Sequence, residues 1–160
     1  MRTRYFFAFI AIAVLLSYSF YVQTYEGFQP CPLCSLQRLA FGLVGLSFLL
    51  GFLTYRYKIT RLIYCSTGLL FAIAGFALAA RQTWIQLYPS SDTSECGVSL
   101  QYMLQVLPWH EVAKKILAGT AECSQRAWSL LGFSMAEWSA LCFAGLILFS
   151  WLMLKRAPKP

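Results

Sequence analysis

The sequence predicts an all-α membrane protein. It reads as one four-helix transmembrane bundle with both termini cytoplasmic, residues 1–160 forming a single membrane domain. Three observations predict this. The chain is 59% hydrophobic and only 12% charged, whereas a soluble domain carries about 25% charged residues. Its apolar residues are gathered into four long uncharged runs. Its basic residues cluster beside those runs, which is how membrane topology is encoded. The net charge of +7 raises nucleic-acid binding as a possibility, but short clusters flanking apolar runs argue against it.

The runs cover 6–22, 39–55, 62–80 and 138–154, with 17, 17, 19 and 17 residues. A helix needs about 17 to 25 apolar residues to cross the hydrocarbon. Only helices and closed barrels satisfy their backbone groups there. The runs lack the alternation of barrel strands, so four helices are expected. Arg2 and Arg4 precede the first run, as they would in a signal peptide. No A-x-A-like cleavage site follows it, so the first helix is expected to stay uncleaved.

Charge sets the orientation. Arg2, Arg4, Arg56, Lys58, Arg61, Lys155, Arg156 and Lys159 all fall on one side of an alternating topology. That side is expected to be cytoplasmic. Five cations and all six acids fall on the other side. Two loops therefore face outward, 23–38 and 81–137. In the longer loop, 99–107 and 111–117 carry apolar residues at helical spacing around Pro108 and Trp109. Such pieces could lie on the bilayer with apolar faces down, pack on the bundle itself, or do both.

Six cysteines carry the chemistry. Cys31 and Cys34 lie in the first outer loop, and Cys96 and Cys123 in the second. Even numbers on the oxidising side of a membrane suggest disulfides. Cys31-Pro32-Leu33-Cys34 closes too small a loop to constrain much chain entropy. Its value is chemical. Pro32 suits the first position of a helix, and a helix N-terminus stabilises the thiolate that performs exchange. Arg38 lies one turn after Cys34 on the same face. It either stabilises a Cys34 thiolate and charge on an acceptor, or anchors the helix at the interface. Cys96 and Cys123 stand 27 residues apart, which is not a zinc-knuckle spacing, so no metal site is expected. A loop pair gives access to a soluble partner, and a membrane-side pair gives access to a lipid-soluble oxidant. Purely structural loop disulfides are the alternative. Cys65 and Cys142 read as small buried hydrophobes. His110, the one histidine, has no placed partner and reads as a solvated loop residue.

Taken together, the residues resemble the disulfide bond formation protein B (DsbB) family. The likeness rests on Gln29-Pro30-Cys31-Pro32-Leu33-Cys34, then Gln37-Arg38, then Gln86-Leu87-Tyr88-Pro89, then Cys123-Ser124-Gln125-Arg126-Ala127-Trp128. It covers nearly the whole chain. The resemblance implies a bacterial inner-membrane thiol–quinone oxidoreductase with disulfides Cys31–Cys34 and Cys96–Cys123. It implies that Cys34 faces a quinone, ubiquinone or menaquinone, with Arg38 supporting that site. It implies that Cys96 forms the mixed disulfide with a periplasmic DsbA-like thiol protein, with Cys123 as its partner cysteine. A departure appears at Gln82. A familiar family member carries there a histidine proposed to help bind quinone. Glutamine donates a hydrogen bond to a quinone carbonyl but exchanges no proton near neutral pH.

Two rival readings accompany this one. A non-enzymatic membrane assembly protein would use the loop disulfides only as staples. A reductase of the vitamin K epoxide type also uses a four-helix bundle, but its essential C-x-x-C lies late in the chain, and here it opens helix two.

Overall fold

The computed structural model of the protein describes residues 2–26, 31–54, 56, 58–88, 105–118, 129–130 and 132–155. These form α1 (Arg2–Glu26), α2 (Pro32–Leu53), α3 (Lys58–Leu87), α4 (Trp109–Ala118), β1 (Ser129–Leu130), β2 (Phe133–Ser134) and α5 (Met135–Lys155). Helices α1, α2, α3 and α5 are each long and apolar enough to cross a membrane. β1 and β2 form a two-residue antiparallel ladder turned by Gly132 at φ +85°, too small to be a layer.

Each long helix runs past the apolar stretch that marks it at one end or both, α2 only at its start. The apolar run reports where hydrocarbon lies, whereas the helix continues until a cap ends its hydrogen-bond ladder. Pro32 to Arg38, which hydropathy assigns to the first outer loop, form the first two turns of α2. Arg81 to Leu87, assigned to the second loop, extend α3. At its far end α2 stops at Leu53, and the Thr54 N–H closes on the Leu50 carbonyl at 2.9 Å. At the start of α5, Ser134 and Glu137 cap each other reciprocally. The Ser134 N–H donates to the Glu137 carboxylate at 2.6 Å, and the Glu137 N–H donates to Ser134 Oγ at 3.4 Å. This is the S-x-x-E capping box.

α2 packs against both α1 and α3, and α3 packs against α5. One core runs between them, through Tyr5, Ile12, Val44, Phe48, Ala72 and Phe143. α3 contributes small residues at the crossing, which lets aromatic rings from its neighbours come close. Phe143 stacks on Phe41 with ring centroids 3.9 Å apart. It also lies over Gly75, where an added Cβ would sit 2.3 Å from the ring. Outside, Phe7, Val14, Leu70 and Leu148 are well exposed. That is an expensive surface in water and an ordinary one in lipid.

α4 packs over the start of α2. Val112 and Ile116, one turn apart, are buried against Cys31, Leu33 and Ile85. Of the two arrangements open for 111–117, the structure has its apolar pair on the bundle. Residues 99–104 lie outside the described residues.

Candidate redox site

Cys31 is the N-cap of α2. Its backbone is extended (φ −62°, ψ 157°), Pro32 follows at the first helical position, and Cys31 Sγ accepts from the Cys34 N–H at 3.4 Å. Sulfur here takes the role that serine or aspartate oxygen has in most N-caps. Capping turns the Cys31 side chain back over the first turn, where Cys34 lies. The Cys31 thiol donates to Cys34 Sγ at 3.3 Å, a hydrogen-bond distance and not a covalent one. Movement of little more than an ångström would join the sulfurs at the usual bond length of about 2.05 Å. Cys31 is 4% exposed and lies under α4, while Cys34 is half-buried.

Cys34 faces α3. Gln82 Nε2 donates to Cys34 Sγ at 3.1 Å, with Gln82 Oε1 at 3.5 Å from the same sulfur. Gln37 Nε2 donates to Gln82 Oε1 at 2.7 Å. Both glutamines are nearly sealed, Gln37 at 4% and Gln82 at 3% exposure. An unpartnered buried amide costs about 1–3 kcal/mol, so the pairing matters to the fold as well as to the sulfur.

Arg38 turns the other way, toward α1. Its guanidinium donates to Gln23 Oε1 and, at 3.3 Å, to the Ser19 carbonyl. It also lies over the Phe20 ring, 5.2 Å from the centroid. It stays near enough to Cys34 and Cys31 to attract either sulfur electrostatically. It is fastened at the edge of the bundle, and its charge reaches the cysteine pair.

The site therefore unites Cys31, Cys34, Arg38 and Gln82 at one end of the bundle. Cys96 and Cys123 lie outside the described residues. Cys65 is 2% exposed and donates to the Ser150 carbonyl at 3.3 Å, near the opposite end. Cys142 packs half-buried against the central core. His110 is exposed, its ring edge-on to Trp109. Among the described residues no cluster of three or more His, Cys, Asp or Glu side chains has metal-binding geometry.

Sequence reasoning missed Gln37 as a site residue, and with it Ser19, Phe20 and Gln23 of α1. Gln37 had a usable signal. It lies three residues after Cys34, on the same helical face. The α1 contacts had none, since they join residues far apart in the chain.

Comparisons with known proteins agree in one direction. A family model described as Disulfide bond formation protein DsbB matches residues 1–153. The disulfide bond formation protein B of Hahella chejuensis is 39% identical over 158 residues, covering 97% of this chain and 96% of its own. That of Stutzerimonas stutzeri is 38% identical, covering 97% and 96%. That of an Azoarcus species is 41% identical, covering 97% and 93%.

Proposed function

Because the chain belongs to the DsbB family of disulfide bond formation proteins, we propose that it reoxidises a soluble DsbA-like thiol protein and passes the electrons to a membrane quinone. The carrying observation is the pair of sulfurs 3.3 Å apart at the N-terminus of a helix able to span a membrane. A thiol pair at that position suits exchange with a soluble loop on one side and a lipid-soluble oxidant on the other.

The steps balance as follows. The partner's dithiol reduces the Cys96–Cys123 disulfide and leaves as a disulfide. The Cys96–Cys123 dithiol reduces the Cys31–Cys34 disulfide in turn. The Cys31–Cys34 dithiol then gives up two electrons and two protons, which convert quinone to quinol, and its disulfide is restored. Exchange at each stage needs an attacking thiolate and an accessible sulfur. The N-terminus of α2, the Gln82 amide and the Arg38 charge all favour negative charge on Cys34.

The residues present suit a quinone. Arg38 has five N–H donors, of which Gln23 and the Ser19 carbonyl engage two atoms. The remaining donors suit a quinone carbonyl oxygen, and the exposed apolar faces of the helices suit its hydrocarbon tail. Ubiquinone and menaquinone both meet these requirements. The charge pattern supports a bacterial inner-membrane location with both termini cytoplasmic and the cysteine loops periplasmic.

The test uses purified protein, a quinone and a reduced DsbA-like protein. Quinone-dependent turnover is expected, with a visible charge-transfer band that disappears in Cys34→Ser. Turnover that survives Cys31→Ser or Cys34→Ser sinks the proposal. Trapping of a partner on Cys96 in Cys123→Ala separates this reading from that of a non-enzymatic assembly protein.

A further inference from the structure

We propose that Gln37 is a positioning residue. By donating to Gln82 Oε1 it fixes the Gln82 amide so that its NH2 group donates to Cys34 Sγ, and so holds that sulfur ready as a thiolate. The proposal rests on the reading of Cys34 as the redox thiol and adds how the sulfur is prepared.

An amide has two ends of opposite character, and its orientation decides what a neighbouring sulfur meets. With Nε2 toward Cys34 the sulfur receives a donor. With Oε1 toward it the sulfur receives an acceptor, which suits only the protonated thiol. Gln37 breaks the tie. Its Nε2 lies 2.7 Å from Gln82 Oε1, so Gln82 turned on its own would set donor against donor. The chain therefore runs Gln37 to Gln82 to Cys34: Gln82 Nε2 closes on the sulfur at 3.1 Å, and Oε1, to which the Cys34 thiol donates at 3.5 Å, is the farther end. Both amides are about as buried as core side chains, so water offers little competition for either end.

Other described residues also surround the pair. From α2, Cys31 donates to Cys34 at 3.3 Å, and Arg38 acts on it by charge at longer range. From α3, Ile85 and Leu78 accompany Gln82, and α4 contributes Val112 and Ile116, all of them apolar. Neither amide titrates near neutral pH. The donor on Cys34 thus stays in place at any pH at which the protein is folded, as an imidazole in that position would not.

The experiment follows Cys34 alone. In a Cys31→Ser background serine keeps the N-cap, and iodoacetamide modification of Cys34 is read by mass spectrometry of its peptide from pH 5 to 10. Methionine substitutions keep the volume and remove the polarity. Gln82→Met and Gln37→Met are each expected to slow modification at pH 7 by about five- to tenfold. Both should displace the pH profile toward alkali. The double variant should be no slower than the slower single one, because both act through one bond. Gln37→Glu preserves size and polarity where methionine packs poorly. Its carboxylate accepts from Gln82, turns the amide oxygen toward the sulfur, and slows modification at least as much.

An unchanged profile in either Gln37→Met or Gln37→Glu, with Gln82→Met displaced, removes Gln37 from the role. Unchanged profiles throughout remove the hydrogen bond to sulfur as well. Additive losses in the double variant also overturn the chain. Quinone is absent from this measurement. Expected profiles without quinone turnover would keep this inference and end the proposed function, and turnover with unchanged profiles would do the reverse.

Discussion

Two ends of the same bundle hold a cysteine among polar groups, half-buried at one end and buried at the other, and only one end has the makings of a redox site. At the start of α2, Cys34 sits beside Cys31, Gln82 and, at longer range, Arg38. At the opposite end, Cys65 sits near Tyr5 and Arg61, and its thiol donates to the Ser150 carbonyl at 3.3 Å. At least partial burial, a hydroxyl or amide, and an arginine nearby are therefore common to both. Two things differ. Cys34 has a second sulfur at 3.3 Å, while Cys65 stands mid-helix without a cysteine in the same turn. Cys34's shortest contact is one it accepts, from Gln82 Nε2 at 3.1 Å, with its own donation to Gln82 Oε1 longer at 3.5 Å, whereas Cys65 donates to a backbone carbonyl and also bonds with Tyr5. An amide N–H beside a sulfur is a donor that negative charge on the sulfur can use. The neighbouring sulfur and the close amide donor, more than burial, separate the two sites.

The largest expected effect tests that separation directly. Cys34→Ser should lower quinone-dependent turnover at least about a thousandfold, since it removes the attacking group. Cys65→Ser, which keeps a donor for the Ser150 carbonyl, should leave turnover within about twofold. A comparable loss in both variants, measured by quinol formation with reduced partner, would collapse the comparison. Next in size is Arg38→Ala. It should raise the quinone KM by about tenfold, as expected for a charged hydrogen bond of roughly 1.5 kcal/mol, with a smaller loss in exchange with the partner protein. Equal losses in both steps would make Arg38 an anchor alone. Gln23→Ala should follow in the same direction at about threefold, because Arg38 keeps the Ser19 carbonyl and the Phe20 ring.

How much of this was legible in the sequence follows from what each feature depends on. The four spans depend on composition over about 20 residues, and a linear reading finds them. The start of α2 depends on Cys31 and Pro32, neighbours in the chain, and is equally readable. The outer turns of α2 and α3 are polar, so hydropathy assigned 32–38 and 81–87 to loops. Their helical state depends on caps and on packing beneath α4, which composition does not register. Gln82 could be marked only as a departure from a family pattern. Its partner Gln37 lies 45 residues away in the chain, and an isolated glutamine near a helix start looks solvent-facing until the fold buries it. The direction of electron flow and the role of Cys96 and Cys123 came with the resemblance, and they remain part of the proposed function.

The smallest expected effects concern the helix that joins the two ends. α3 carries both Cys65 and Gln82, so its seating on α2 and α5 sets both cysteine environments at once. Gly75 lies between them. A Cβ there would stand 2.3 Å from the Phe143 ring, and the ring is confined by its stack on Phe41. Gly75→Ala should therefore cost about 1–3 kcal/mol from overpacking, visible as a lower unfolding midpoint in detergent. Gly42 is the counterpart. Nothing lies within 4 Å of a Cβ added there, so Gly42→Ala should gain up to about 1 kcal/mol from helix propensity alone. Both variants exchange the same atoms in helices of the same bundle. If the two shift the midpoint equally, the close approach at Phe143 is not what seats α3, and the shared geometry of the two ends must come from the capping and loop contacts instead.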